Sequence, residues 1–387
     1  VRSDNVPINT NWIPNTSLTG AGFASVTFTD TNSGYVVGSE GRIFKTIDGG
    51  ENWTQQNSGY TINLNAVKFT NNNIGYVVGD NGVIIKTTDG GTNWVTQTSG
   101  TIQKLYSVFF TDSNTGYAVG KTGIMIKTTN GGNSWTAMTS GAHDSLNSIY
   151  FINSNIGYAV GSNGTILKTT NAGANWITQR INFGEKFLSC YFMEDNSGFA
   201  LGLNGVNGII FKTTTTNPGV WTQQNSIASV SLNSINFYQN VGYIVGANGT
   251  ILKTADNGAT WTAQTSGVIN GLNSICFTDI NTSYAVGEGG IILKTTNGGL
   301  NVKENIVNKF ITIYPNPNNG TFYFSLKDTN SKVKAEIYNL SGQKVFEASN
   351  FEMQPQNEVN FAPQSKGIYL VKINDGETSY TEKIMIQ

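Results

Sequence analysis

A five-residue segment of the form Gly-Tyr-Val-Val-Gly returns seven times, each copy inside a unit of about 41 residues. The copies are Gly34–Gly38, Gly75–Gly79, Gly116–Gly120, Gly157–Gly161, Gly198–Gly202, Gly242–Gly246 and the variant Ser283–Gly287. Each is followed by a stretch ending in Lys-Thr, at Lys45, Lys86, Lys127, Lys168, Lys212, Lys253 and Lys294. A turn such as Asp48-Gly49-Gly50 or Asn130-Gly131-Gly132 comes next, and then Trp53, Trp94, Trp135, Trp176, Trp221 or Trp261. An apolar run such as Leu146–Phe151 precedes the next Gly-Tyr segment. Each unit therefore reads as four short strands divided by polar turns. Four-strand units at this period predict an all-β, seven-bladed propeller and exclude a helical solenoid.

The ends of the array predict how the ring closes. A tryptophan is due near position 302, but Val302 stands there and the pattern stops. Trp12 lies 41 residues before Trp53 with no Lys-Thr stretch ahead of it. The N-terminal segment is thus expected to supply the outer strand of the last blade, which removes a sheet edge. The four-residue lengthening between Trp176 and Trp221 marks the unit that departs most from the repeat.

Composition narrows the function classes. Charged residues make up 12% of the 387, about half the usual share, and the net charge is -1. No global field draws such a chain to nucleic acid or anionic lipid. No apolar run reaches the length of a membrane-spanning helix. The start at Val1 is compatible with a signal peptide already removed. Cys190 and Cys276 each fall in an apolar strand and read as small core fillers rather than a disulfide pair. With one histidine and no His/Cys cluster, no metal or other cofactor is expected.

The turn pattern T-x-[DN]-x-G-x-x-W resembles the Asp-box of BNR-type propellers. Asp or Asn there accepts backbone amides, Gly adopts a positive φ, and Trp pins the hairpin. The whole repeat over residues 12–302, with Gly-Tyr-Ala-Val-Gly and Ile-Leu-Lys-Thr-Thr-Asn-Gly-Gly, is similar to the YCF48 photosystem II assembly-factor group. The resemblance implies the fold and says less of function, because related propellers include enzymes, binders and scaffolds.

After Val302 the charge density rises, from 29 residues of 302 to 18 of 85. Residues 1–302 are read as the propeller, 303–309 as a linker and 310–387 as a small Ig-like β-sandwich. Four motifs resemble the type A sorting domain of the Bacteroidetes type IX secretion system. They are Tyr314-Pro315-Asn316-Pro317 through Gly320, Ile337–Val345 with Gly342, Gly367-Ile368-Tyr369 through Val371, and Lys383 to Gln387. The resemblance implies that residues 310–387 engage the type IX machinery. It also implies export to the cell surface or beyond, with Pro315, Pro317, Gly342, Gly367, Tyr369 and Lys383 as parts of the signal. Such domains are often clipped after export.

Residues present in every unit build blades, so candidate site residues are the exceptions. Two loop sets share one propeller end: outer strand to next inner strand, and second strand to third. The first carries Tyr60, Ile62, Lys104, His143, Asp144, Arg180, Phe183, Glu185 and Lys186; the second carries Glu40, Asp80, Lys121 and Glu288. The charges read either as a face polarised between basic and acidic sides or as scattered solubilising charge. His143, Asp144, Arg180, Phe183, Glu185 and Lys186 form the main candidate binding patch, with Tyr60, Lys104 and Lys121 beside it; loop drift is the plainer alternative. Asp144-Ser145-Leu146 also fits a short O-glycosylation pattern of exported proteins.

A sialidase needs three converging arginines, and this chain has only Arg2, Arg42 and Arg180. A carboxylate pair such as Asp80 and Glu185 across the channel mouth keeps glycan hydrolysis open. The expectation is a non-enzymatic surface protein binding a protein or glycan. A glycoside hydrolase and a self-associating subunit of a surface layer or fibre are the alternatives.

Overall fold

The computed structural model describes residues 12–15, 18, 20, 22–215, 217–224, 228–298, 311–326, 333–339, 341–351, 357–362, 365–374 and 379–387. The linker 303–309 and Val302 lie outside them. Contacts divide the chain into two units, Val1–Leu300 and Asn301–Gln387.

Among the described residues, the first unit contains seven four-stranded antiparallel sheets, each a blade. Blade 1 comprises Phe23–Phe28, Gly34–Gly38, Ile43–Thr46 and Thr54–Gln56 from inside to outside. Blades 2, 3 and 4 repeat this order from inner strands Leu64–Phe69, Leu105–Phe110 and Leu146–Phe151. Blades 5 and 6 start from Glu185–Phe192 and Leu232–Tyr238. Blade 7 takes Leu272–Phe277, Ser283–Gly287 and Ile292–Thr295 from the end of the array and Ile13–Asn15 from the N-terminus. Trp12, ahead of that strand, is fully buried and meets Tyr243 edge-on at 5.2 Å.

Successive inner strands pack on one another, and the seventh packs back on the first. A serine Oγ on one inner strand accepts the backbone N–H of the next: Ser25 from Val67 at 3.3 Å and, closing the ring, Ser274 from Val26 at 3.2 Å. Asn65 Nδ2 reaches Leu105 O at 2.8 Å, and Asn273 Nδ2 reaches Phe23 O at 2.8 Å in the same way.

The repeated residues hold neighbouring blades together. Tyr35 stacks on Phe69 of blade 2 at 4.0 Å, and Phe69 meets Trp94 edge-on at 6.1 Å; such pairs add about 0.5–1.5 kcal/mol each beyond area burial. In six blades a glycine at the start of the second strand lies under such a phenylalanine, so a Cβ at Gly75 would stand 2.5 Å from the Phe69 ring. Tyr35 Oη and Lys45 Nζ both donate to Gly90 O in the next blade, at 2.8 and 2.6 Å. Tyr76 with Lys86 does the same at Gly131, and Tyr117 with Lys127 at Ala172.

The turn carrying the equivalent Gly49 carbonyl, which accepts from Tyr284 Oη at 2.6 Å, is built as the Asp-box pattern requires. Thr46 Oγ1 donates to Asp48 Oδ1 at 2.8 Å and accepts from Gly50 N at 2.8 Å, and Asp48 Oδ1 also accepts from Asn52 N at 2.9 Å. The Asn52 backbone bond foremost holds the Asp48 carboxyl down at about 2. Cys190 and Cys276 are unpaired and buried, and burial pushes both thiols up to about 12.

The second unit is a two-sheet sandwich. One sheet holds Ile311–Tyr314, Thr321–Leu326 and Asn357–Asn360; the other holds Lys344–Phe351, Val333–Asn339, Gly367–Asn374 and Ser379–Ile386 in that spatial order. Phe322, Phe324, Ile337, Val359, Val371 and Ile384 alternate inward and form its core.

Candidate binding face and sorting domain

The antiparallel order of each blade puts the outer-to-inner loops and the second-to-third turns at one end of the propeller. Hydrogen bonds join the two sets: Asp80 N to Asn63 O at 2.9 Å, Lys121 N to Lys104 O at 2.8 Å, Ser162 N to Ser145 O at 2.9 Å. The middle residue of each turn takes a positive φ, as at Glu40, Asn81, Thr122, Asn163 and Asn248.

Charges on this face pair locally. Lys104 Nζ lies 2.8 Å from Asp80 Oδ2, and Arg42 lies 2.8 Å from Glu40 Oε2. The Asp80 bond raises the Lys104 ammonium above its usual range. Glu288 Oε2 accepts from Gly271 N at 3.2 Å. Acids and bases that could have stood on opposite sides are thus partly neutralised where they arise, which favours scattered charge over a polarised face.

Arg180 lies in the outer strand of blade 4, opposite Ile166 of the third strand, rather than standing as a free loop cation. It ends the outer strand Ile177–Arg180 of blade 4, where Gln56 and Gln97 stand in blades 1 and 2. Its guanidinium grips Glu185 with both nitrogens, Nη1 to Oε2 and Nη2 to Oε1 at 3.1 Å. It also lies 4.2 Å from the Phe211 ring centroid in blade 5. Glu185 is only 6% exposed and takes a further bond from Asn182 Nδ2 at 2.9 Å. The expectation of an exposed loop carboxylate at Glu185 therefore fails: the residue opens the long inner strand Glu185–Phe192 and is covered by Arg180 and Asn182.

Asn163, which sequence reasoning passed over, joins the two candidate loops. Its Nδ2 donates to Asp144 Oδ2 at 2.8 Å, and its carbonyl accepts from Asn182 N at 2.9 Å. Asp144, Asn163, Asn182, Glu185 and Arg180 so form one chain of hydrogen bonds. His143, Phe183 and Lys186 are exposed around it, Phe183 at 80%. Tyr60 and Lys104 belong to other seams; the Tyr60 hydroxyl lies 2.9 Å from Thr96 Oγ1. Lys121 is exposed at the turn of blade 3. Ser145 is half-buried beside Asp144. The equivalence of Asn163 with the other positive-φ turn residues was the sequence signal that could have found it.

The same end holds a groove of about 540 Å³ along blade 6, lined by Val230, Asn248, Ile251, Ala263, Val268 and Ile269 among others. Ile269 projects with 88% exposure, as Ile102 does at 84% on the loop between blades 2 and 3. Among the described residues, no three His, Cys, Asp or Glu side chains cluster to hold a metal ion. Among those residues, no helix is long and apolar enough to cross a membrane.

In the sandwich, the Tyr314–Gly320 segment clasps the last strand. Asn316, between Pro315 and Pro317, donates from Nδ2 to Lys383 O at 2.8 Å and accepts from Met385 N at 2.8 Å. Asn318 N donates to Met385 O at 2.9 Å, and Gln387 N to Asn318 O at 3.0 Å. Gly342 turns at φ +80° after Asn339. Buried Tyr369, two residues past Gly367, donates its hydroxyl to Ser365 O at 2.8 Å.

Comparison with known proteins agrees with both halves. Residues 312–387 match the secretion system C-terminal sorting domain. Residues 7–101, 60–145, 96–190 and 213–309 match the family described as photosynthesis system II assembly factor YCF48. No curated protein matches. Among solved structures, "YCF48 bound to D1 peptide" is 20% identical, with 74% of this chain and 97% of that one covered and a TM-score of 0.64. YCF48 from Cyanidioschyzon merolae is 19% identical, with 73% and 98% covered and a TM-score of 0.61. The GH74 enzyme of Niastella koreensis is 14% identical, with 97% and 74% covered and a TM-score of 0.60. At these identities the likeness concerns the fold. The sorting domain engages the type IX machinery and places the protein outside the cell or on its surface. With matches over most of the chain, the protein belongs to the YCF48 propeller family and carries a secretion-system C-terminal sorting domain.

Proposed function

We propose that the propeller is a non-enzymatic binding or scaffolding module whose loop face takes an extended polypeptide of another protein. The observation that carries this reading is the open, mainly aliphatic groove beside Ile269, on a face whose strongest carboxylates are already ion-paired. Apolar anchors in a groove, with exposed Ile102 and Phe183 on the same face, suit a peptide with apolar side chains. The YCF48 structure with a bound peptide supports that use of the fold. The GH74 likeness raises glycan hydrolysis as the rival. Against it, Asp80 and Glu185 are each engaged by a cation rather than left as an acid and base pair.

The test is a peptide-array screen followed by titration of the full chain. Ile269→Asp should weaken the selected peptides at least tenfold, and xyloglucan should release no reducing sugar. Sugar release abolished by Asp80→Asn would overturn the proposal. So would peptide binding indifferent to Ile269→Asp and Phe183→Asp alike.

A further inference from the structure

The seven strands nearest the propeller axis share one position in common register. Lys68 pairs with Tyr76 across the first hairpin of its blade; Thr27, Phe109, Tyr150, Tyr191, Asn236 and Cys276 hold the same place in the others. Because the inner strands pack in a closed ring, these side chains form one layer around the axis. Phe109 and Tyr150 lie 5.1 Å apart by ring centroid, as do Tyr150 and Tyr191, and Lys68 Nζ stands 5.5 Å from the Phe109 centroid. Lys68 also acts electrostatically on Cys276, although blade 1 lies between their blades.

Lys68 is the cation of this layer. Among the described residues no carboxylate pairs with it: the propeller ion pairs engage Arg42, Lys104, Arg180 and Lys294. Burial lowers the Lys68 ammonium below its usual range, and the Cys276 thiol, pushed up to about 12, supplies no negative charge at neutral pH. Glu194 acts on Tyr150 and Tyr191. Lys68 is half-buried inside the ring; a partly desolvated cation without a counter-charge is costly, and the cost is relieved by losing the proton or by gaining an anion. The ring beneath the ammonium favours the charged form. The Asn236 side chain in the same layer brings an amide donor. We infer that the central channel binds a small monoanion, a carboxylate or a halide, against Lys68 Nζ.

The full chain reports on its own channel, because all seven tryptophans lie in the propeller and their fluorescence follows that unit alone. Thermal melts would be run in low salt with added acetate or chloride, ionic strength being balanced by a bulky sulfonate. Either anion should raise the propeller melting temperature saturably, by about 2 °C or more. Lys68→Met should abolish the rise, and Lys366→Met, at an exposed lysine, should keep it. Equal responses in wild type and Lys68→Met, or no anion-specific rise in wild type, would overturn the proposal. The acetate and chloride arms separate the two anion types. Should Lys68→Met not fold, equilibrium dialysis of labelled acetate and chloride against wild type decides: one site per chain supports the site, and none sinks it.

Discussion

The seam between blades 1 and 2 and the seam between blades 4 and 5 join neighbouring sheets at opposite ends. In the first, Tyr35 and Lys45 meet at the Gly90 carbonyl on the Asp-box end. In the second, the lengthened hairpin pairs Thr214 with Asn217 and replaces that turn. Tyr158 Oη is buried there with no hydrogen-bond partner among the described residues. The loop end compensates: Arg180 of blade 4 holds Glu185 and stacks on Phe211 of blade 5. A repeat can thus lose one clasp without opening, provided a different pair of side chains closes the other end of the same interface.

Arg180→Ala should cost the most, about 2–4 kcal/mol, because it strands a buried carboxylate. Lys104→Ala removes a pair that is half open to solvent and should cost less than about 1 kcal/mol. Both are read by guanidinium unfolding followed through tryptophan fluorescence; equal losses would mean the loop-end pairs of the blade 2–3 and blade 4–5 seams are alike.

Tyr35→Phe and Tyr76→Phe should each cost about 1 kcal/mol, whereas Tyr158→Phe should cost nothing, its hydroxyl having no bond to lose. A like cost at all three would contradict the missing clasp. Asn163→Ala should cost about 1 kcal/mol and leave Phe183 solvent exposure unchanged, as a hydrogen-exchange measurement of the Asp144 and Asn182 loops would register.

The smallest effect is on acid stability. Asp48 and Asp89 are held at about 2, foremost by the backbone N–H groups of Asn52 and Asn93. A depressed folded-state pKa contributes stability that is present above the ordinary carboxylate range and is lost as pH falls through about 2. The propeller melting temperature should therefore decline between about pH 4 and pH 2. Blades 3 and 4 place Asn130 and Asn171 at that position, accepting the same backbone bonds without titrating. The double variant Asp48→Asn with Asp89→Asn should flatten the decline, and an unaltered acid limb would show that the Asp-box charge is irrelevant.

Much of the binding face was legible as position and little as contact. His143, Phe183, Lys186 and Lys121 stand exposed on the loop end, where chain order alone places them. Glu185 was misread because a polar loop and an extended strand look alike when the strand gains length from an irregular unit. Asn163 was hidden because it occupies a turn position filled by Asn, Thr, Gly or Glu elsewhere, and only its neighbours give it a task. The groove at Ile269 arises from the spacing of blade 6 elements that no local pattern encodes.

Periodic residues determined the blades, the Asp-box turns and the N-terminal closing strand. Each depends on short-range hydrogen bonding and on the alternation of apolar side chains, both of which recur in the sequence at fixed spacing. The tertiary structure alone decided which charges stay free and which are consumed. Arg180 and Glu185, Lys104 and Asp80, and the unpaired Lys68 are alike as letters in a row. Whether a charge meets a partner depends on side chains from different blades, and the closing of the ring sets that distance.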